Sequence, residues 1–268
     1  MKIALFQMCS SLEPHENLAK IKFALKQCQA ENIEALFLPE VFYSMSDGLT
    51  PTPYVINGKD SHYEKIQALS KESGIFILGG SAATKGSTKL LNRSYNFSPE
   101  GEDLGFYDKM NLFSCDLSRD ASKQIINENL HFENGYNPIM IDVKNFKLAL
   151  SICFDLRFPE IFRYYSSRGA ELISISSAFT VPTGRAHWHT LVRARAIENQ
   201  CYVIAAGQWG KHNDRISTFG HSLIVDPWGE ILADAGEGEK IISAEISKEK
   251  IKEIRSRLNV LKDPAYLK

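Results

Sequence analysis

At 268 residues the chain can bury a sizeable core, in one large α/β domain or two small ones. A formal net charge of -1 at pH 7 excludes the basic footprint of a nucleic-acid or anionic-membrane binder, and no apolar run is long enough to span a bilayer. The five cysteines are widely spaced and include no Cys-x-x-Cys pair, so they suggest neither a disulfide framework nor a zinc site. With the strand-like Lys2-Ile3-Ala4-Leu5-Phe6 standing where a signal peptide would, the expectation is a reducing, cytoplasmic setting.

Hydrophobic periodicity predicts a strand over 3–8, an amphipathic helix over 17–30 and a buried strand over 35–38. A helix over 61–73 follows, with Gly74 where a helix-ending glycine belongs. Strands over 75–78 and 91–97 come next, the second closing on the turn Ser98-Pro99-Glu100-Gly101. From 110 to 138 the pattern weakens into a polar, aperiodic excursion of a length that signals a functional loop. Strands at 139–143 and 148–153 lead to a helix over 159–168 closed by Gly169, then a strand over 172–178 and a long helix over 185–199. The chain finishes with strands at 202–207, 222–225 and 241–246, a basic helix over 248–258 and a tail. Segments 91–97 with 105–107, and 222–225 with 231–233, have the look of antiparallel hairpins, which argues against a simple all-parallel sheet. No linker or internal repeat is visible, so a single mixed α/β domain over 1–268 is expected, with two sheet layers covered by helices.

One junction carries the most chemistry. The apolar run Leu148-Ala149-Leu150-Ser151-Ile152 ends on Cys153, and Pro159 with Glu160 opens a helix shortly afterwards. A thiol at a strand end beside a helix N-terminus is presented as a nucleophile, and the helix is expected to lower its pKa. Such a thiol needs a base and a group to hold a developing oxyanion. Nothing in the spacing of His187, His189, His212 or His221 selects one of them. Glu40, directly after the buried strand and Pro39, is placed where α/β folds keep catalytic groups, although a solvated loop acid or helix cap would read the same way. Lys109, hemmed by Tyr107 and Met110, is either snorkelling to water or held in a site.

Phe37-Leu38-Pro39-Glu40, the segment Tyr107-Asp108-Lys109-Met110-Asn111-Leu112-Phe113 and the Cys153 segment through Glu160 resemble, in order and environment, the nitrilase superfamily of carbon–nitrogen hydrolases. The resemblance extends from the first strand to the helix after Ile246. It implies a four-layer α-β-β-α sandwich that assembles as a homodimer or higher homo-oligomer. It also implies a Glu40–Lys109–Cys153 triad needing no cofactor and no metal. Glu40 would be the general base, and Lys109 with the backbone N–H of Phe154 would hold the oxyanion. Glu128, with Gly135 seven residues on, matches a second glutamate of this family that could hold Lys109 or the leaving ammonia; a solvated loop acid is its alternative.

The blocks from Ala178 to Trp188, from Arg193 to Tyr202 and from Gly220 to Gly229 look most like the deaminated glutathione amidase branch, with ω-amidases acting on 2-oxoglutaramate as the sister branch. A small linear amide ending in a 2-oxo acid is therefore the expected substrate. By that resemblance Phe179 and Thr183 line the pocket, and Arg157 offers a cation for the substrate carboxylate, unless it forms an ion pair with Glu160 or Asp155. Asn111 stands where the branch usually has His, and Phe154 where Tyr is commoner, which bears on substrate identity more than on catalysis. Tyr43 reads as packing, and the His187-Trp188-His189 spacing turns its two rings to different faces. The rival readings are another small-amide hydrolase, a true nitrilase, and a binding or scaffold protein that kept the fold without the chemistry.

Overall fold

The computed structural model describes residues 1–117, 124–258 and 260–261. The first part of the chain runs β1 (Lys2–Gln7), α1 (Pro14–Ala30), β2 (Ala35–Phe37), α2 (Ser61–Ser73), β3 (Phe76–Leu78), β4 (Ser81–Lys85), β5 (Leu90–Phe97) and β6 (Asp103–Asp108). The middle runs β7 (Ser114–Leu117), β8 (Gln124–Asn127), β9 (Met140–Val143), β10 (Phe146–Ile152), α3 (Pro159–Ser167), β11 (Leu172–Ser177), α4 (Val181–Asn199) and β12 (Tyr202–Gly207). The last part adds β13 (Trp209–Lys211), β14 (Ser217–Phe219), β15 (Leu223–Val225), β16 (Ile231–Asp234), β17 (Lys240–Glu245) and α5 (Lys248–Arg257).

One sheet has the order β17-β1-β2-β3-β5-β4, with β6 paired to β5; the other has the order β16-β15-β12-β11-β10-β9. Strand periodicity sorts the first sheet's side chains between two cores. Ile3, Leu5 and Phe37 pack in one cluster with Leu148, Ile173 and Val203 of the second sheet. Ala4, Phe6 and Leu36 pack in another with Leu18, Ile21 and Leu25 of α1 and Ile66 and Leu69 of α2. The second sheet is covered in turn by Phe162 of α3 and by Trp188, Val192 and Ala196 of α4. This is an α-β-β-α sandwich, and its central strands β2, β11 and β12 are buried along their whole length because both faces of each sheet are covered there.

The local signals are satisfied in detail at α2. The Asp60 carboxylate accepts the backbone N–H groups of His62 and Tyr63, and Gly74 ends the helix at φ 67. Two helices begin earlier than periodicity indicates, α1 at Pro14 and α4 at Val181, each with a proline in its first turn. The excursion over 110–138 holds the β7–β8 hairpin and a 3₁₀ turn at Glu128–Leu130; its residues 118–123, like most of the expected tail, lie outside the described residues. Among the described residues no helix is long and apolar enough to cross a membrane.

Candidate active site

Cys153 follows β10 directly and begins a 3₁₀ turn over Cys153–Arg157. Its backbone is left-handed, with φ 50, a strained conformation for a residue with a Cβ and one that turns the side chain sharply off the strand. The turn is pinned by Asp155, which is fully buried and accepts the Ile152 N–H at 2.9 Å and the Tyr107 hydroxyl at 2.7 Å. The other Asp155 oxygen accepts the backbone N–H and the side-chain amide of Asn111, each at 2.9 Å. Asp155 thus laces the segment flanking Lys109 to the turn that carries Cys153.

Glu40 leaves the rim of the first sheet just after β2. The following residue, Val41, also has positive φ, 50, unusual for a β-branched side chain, and its N–H is held by Ser81 Oγ at 3.0 Å. Glu40 Oε1 accepts from Lys109 Nζ and from Asn92 Nδ2, both at 2.8 Å, and Oε2 accepts the backbone N–H of Ala178 at 2.8 Å. Its backbone carbonyl accepts Gln208 Nε2 at 2.9 Å. Both oxygens of the carboxylate are thereby held in place.

Lys109 emerges from the end of β6 and is 1% exposed, so it is not snorkelling. Its ammonium bridges Glu40 and Glu128, donating to both Glu128 oxygens at 2.9 and 2.8 Å. Phe113 N–H supplies a further bond to Glu128 at 2.8 Å. Gly135 makes this closeness possible: its N–H bonds the Lys109 carbonyl at 2.8 Å, and a Cβ there would lie 2.1 Å from the Asp108 carbonyl oxygen. The excursion thereby folds back across the lysine strand and delivers Glu128.

Burial alone would depress the lysine, but Glu128 and Glu40 more than offset it and hold the ammonium well above its ordinary pKa. Burial raises Glu128, against the pull of Lys109. Cys153 departs from expectation. Burial, then the Glu40 charge, pushes its thiol well above the ordinary value, with Lys109 and the Ala178 N–H pulling the other way. A helix N-terminus does not dominate here: the α-helix starts only at Pro159, and the dipole's influence falls off within a turn. The surroundings of Cys153 thus favour its thiol form over the thiolate.

A pocket opens over Cys153, lined by Phe113, Phe154, Arg157, Ala178, Phe179, Thr180 and Thr183. Phe154, Arg157, Phe179 and Thr183 are thus brought together on its wall. Among the described residues Arg157 forms no ion pair. Its guanidinium lies 5.3 Å from the Phe179 ring centroid and 5.7 Å from that of Phe154, and shares a 3.3 Å contact with His187 Nδ1. Thr183 Oγ1 meets Thr180 Oγ1 at 2.8 Å. Tyr43 is fully buried and hydrogen-bonds His62 at 2.7 Å, which makes it packing. A wider surface depression, along β6 and including Glu133 and Tyr136, lies apart from Cys153. Asn92, Asp155, Gln208 and the Ala178 N–H were not anticipated; each acts through contacts between distant segments, which spacing does not encode.

A buried cysteine on a left-handed turn, a buried acid and a buried lysine thus meet at the rims of the two facing sheets. The carbon–nitrogen hydrolase family model matches residues 2–256, and the chain belongs to that family, within the nitrilase superfamily. It is 33% identical over 267 residues to a deaminated glutathione amidase of Synechocystis sp., covering 98% of each chain. It is also 33% identical to the mouse omega-amidase NIT2, covering 97% of this chain and 94% of that one. The solved Caenorhabditis elegans NitFhit protein superposes with a TM-score of 0.85 at 33% identity, over 97% of this chain; this chain spans 63% of that longer one.

Proposed function

We propose that the chain is an amidase whose catalytic residues are Glu40, Lys109, Cys153 and Glu128, acting on a small linear amide that carries a 2-oxo acid. The observation that carries this reading is the buried Lys109 ammonium held between Glu40 and Glu128, with the charges of all three felt at the Cys153 thiol. Glu40 takes the thiol proton as sulfur attacks the amide carbonyl, so the costly thiolate exists only as it is consumed. Lys109 and the Phe154 backbone N–H meet the oxygen that becomes negative. Glu40 returns its proton to the departing amine, leaving a thioester on Cys153. A water deprotonated by Glu40 then releases the acid and restores the thiol. Glu128 keeps Lys109 charged and in place throughout.

Deaminated glutathione is the favoured substrate. Its cleavage gives 2-oxoglutarate and cysteinylglycine, with the substrate carboxylate meeting Arg157 between Phe154, Phe179 and Thr183. The second reading is an ω-amidase on 2-oxoglutaramate, which places the same acyl unit on Cys153 and releases ammonia; the 33% identity to the mouse omega-amidase NIT2 supports it. Further parts of the proposal are one domain over 1–268, a cytoplasmic setting that keeps the thiol reduced, and assembly as a homodimer or higher homo-oligomer. The family match over residues 2–256 supports the first.

The test compares kcat/KM for deaminated glutathione and for 2-oxoglutaramate, with Cys153→Ala as the blank. Preference for the first fits the favoured substrate, and preference for the second makes the chain an ω-amidase. Activity on neither removes the 2-oxo acid from the proposal.

A further inference from the structure

His189, His221 and Asp234 take no part in the steps above, yet three separate elements bring them together. The rings of His187 and His189 do diverge: His187 meets Arg157, while His189 Nε2 on the other side of α4 lies 3.0 Å from Asp234 Oδ2. His221, just after β14 and with φ 52, places Nδ1 3.2 Å from Oδ1 and 3.4 Å from Oδ2 of the same carboxylate. One ligand-capable atom from each of the three residues lies within 4.8 Å of the others.

The cluster is held from outside. The His221 ring stacks on Phe219 at 4.5 Å and 20°, and its backbone carbonyl accepts the Trp188 indole N–H at 2.6 Å. Asp234 Oδ1 accepts the Gly236 N–H at 2.7 Å, which fixes the carboxylate plane. Among the described residues, the ion-pair partners of Asp234 are these two histidines alone. With neutral imidazoles the cluster therefore carries one unbalanced negative charge.

We propose that His189, His221 and Asp234 bind one divalent transition-metal cation of the zinc class, at a site separate from Cys153. Two imidazoles and a carboxylate form a donor set suited to zinc and poorly suited to calcium or magnesium. The carboxylate-to-imidazole separations of 3.0–3.4 Å match the edge of a tetrahedron, roughly 3.3 Å for metal–ligand bonds of about 2.0 Å, and the two imidazole donors lie within 4.8 Å of each other. On binding, each neutral imidazole moves its proton to its other ring nitrogen, and its hydrogen bond to Asp234 gives way to a bond to the metal. The partial exposure of all three side chains leaves the fourth position to water. The cation would tie α4, the turn at His221 and β16 to one another.

The test uses chelator-treated Cys153→Ala protein, so that this thiol cannot supply a ligand, titrated with Co²⁺ and separately with Zn²⁺. The expected result is tetrahedral Co²⁺ absorption saturating at one equivalent, its displacement by Zn²⁺, and a raised Tm in Zn²⁺. All three should disappear when His189→Ala or His221→Ala is added, and persist with His212→Ala, which removes the histidine 3.5 Å from Cys9 Sγ. Circular dichroism and an unchanged kcat/KM of His189→Ala with native Cys153, measured in chelator, would show that the fold is intact. No binding, or binding that survives both histidine substitutions, overturns the proposal.

Discussion

Tyr107 gives its hydroxyl hydrogen to Asp155 across 2.7 Å, and this one bond joins the strand that delivers Lys109 to the turn that delivers Cys153. The same carboxylate accepts three further N–H groups, so removing it strands several buried donors at once. Asp155→Ala is expected to cost about 3 kcal/mol of stability or more. It should also lower kcat while leaving KM nearly unchanged, because the lysine and the thiol lose their common reference. Urea unfolding and steady-state kinetics measure the two effects, and a stable variant with full activity would remove Asp155 from this positioning role.

The elevated Cys153 thiol sets the pH dependence of its alkylation. Because the folded pKa lies well above the ordinary value of 9.0, the rate with iodoacetamide should keep rising past pH 9 without levelling. Glu40 contributes to that elevation through its negative charge, so Glu40→Gln should lower the thiol pKa and speed alkylation at pH 8. Turnover should move the other way, falling at least ~100-fold with the general base removed. If alkylation and turnover fell together, Glu40 would be ionising the thiol already in the resting protein.

Arg157 offers the pocket a cation that has no ion-pair partner among the described residues. Loss of a charged hydrogen bond of about 1.5–3 kcal/mol corresponds to a fall of about 10- to 150-fold in kcat/KM for 2-oxo acid amides in Arg157→Ala. A small uncharged amide should be hydrolysed at nearly the original rate. Equal losses on both substrates would assign Arg157 to packing against Phe154 and Phe179.

At α2 the Asp60 cap gives a stability term with a definite sign. Burial pushes the carboxyl up, but the N–H groups of Asn57, Tyr63 and His62 more than offset it and hold its pKa below the ordinary value. Its contribution is therefore present above the unfolded carboxyl's pKa and lost as pH falls through the folded one. Asp60→Ala should cost about 1 kcal/mol, a drop of about 2–4 °C in Tm near neutral pH. The gap between wild type and Asp60→Asn should close as the pH is lowered toward 3.

The elements legible in the sequence are those whose own residues state their limits. Asp60 and Gly74 bracket α2, and Pro159 opens α3 as its position indicates. β4 escaped because Ser81, Ala82, Ala83 and Thr84 form a strand through pairing with β5, not through apolar alternation. The β7–β8 hairpin escaped for a related reason: Ser114, Cys115 and Asp116 carry little strand character, and the hairpin rests on ladder bonds across the excursion. In the site, position at a strand end singles out Cys153, whereas Glu40 and Lys109 stand out only through the resemblance of their segments to the family's motifs. Asn92 and Asp155 act across 52 and 48 residues of sequence respectively, so their partners become visible only when the sheets face each other.

β1 is hydrogen-bonded to β2 on one side and to β17 on the other, with Lys2 opposite Glu245 and Gln7 opposite Lys240. During synthesis β1 emerges well before β17, so this side of β1 stays unpaired until its distant partner follows. Until then Ile3, Leu5 and their neighbours present an open, apolar edge to whatever strand comes near. In that interval the unpaired row of backbone groups along β1 is a template on which any other strand can pair in place of β17.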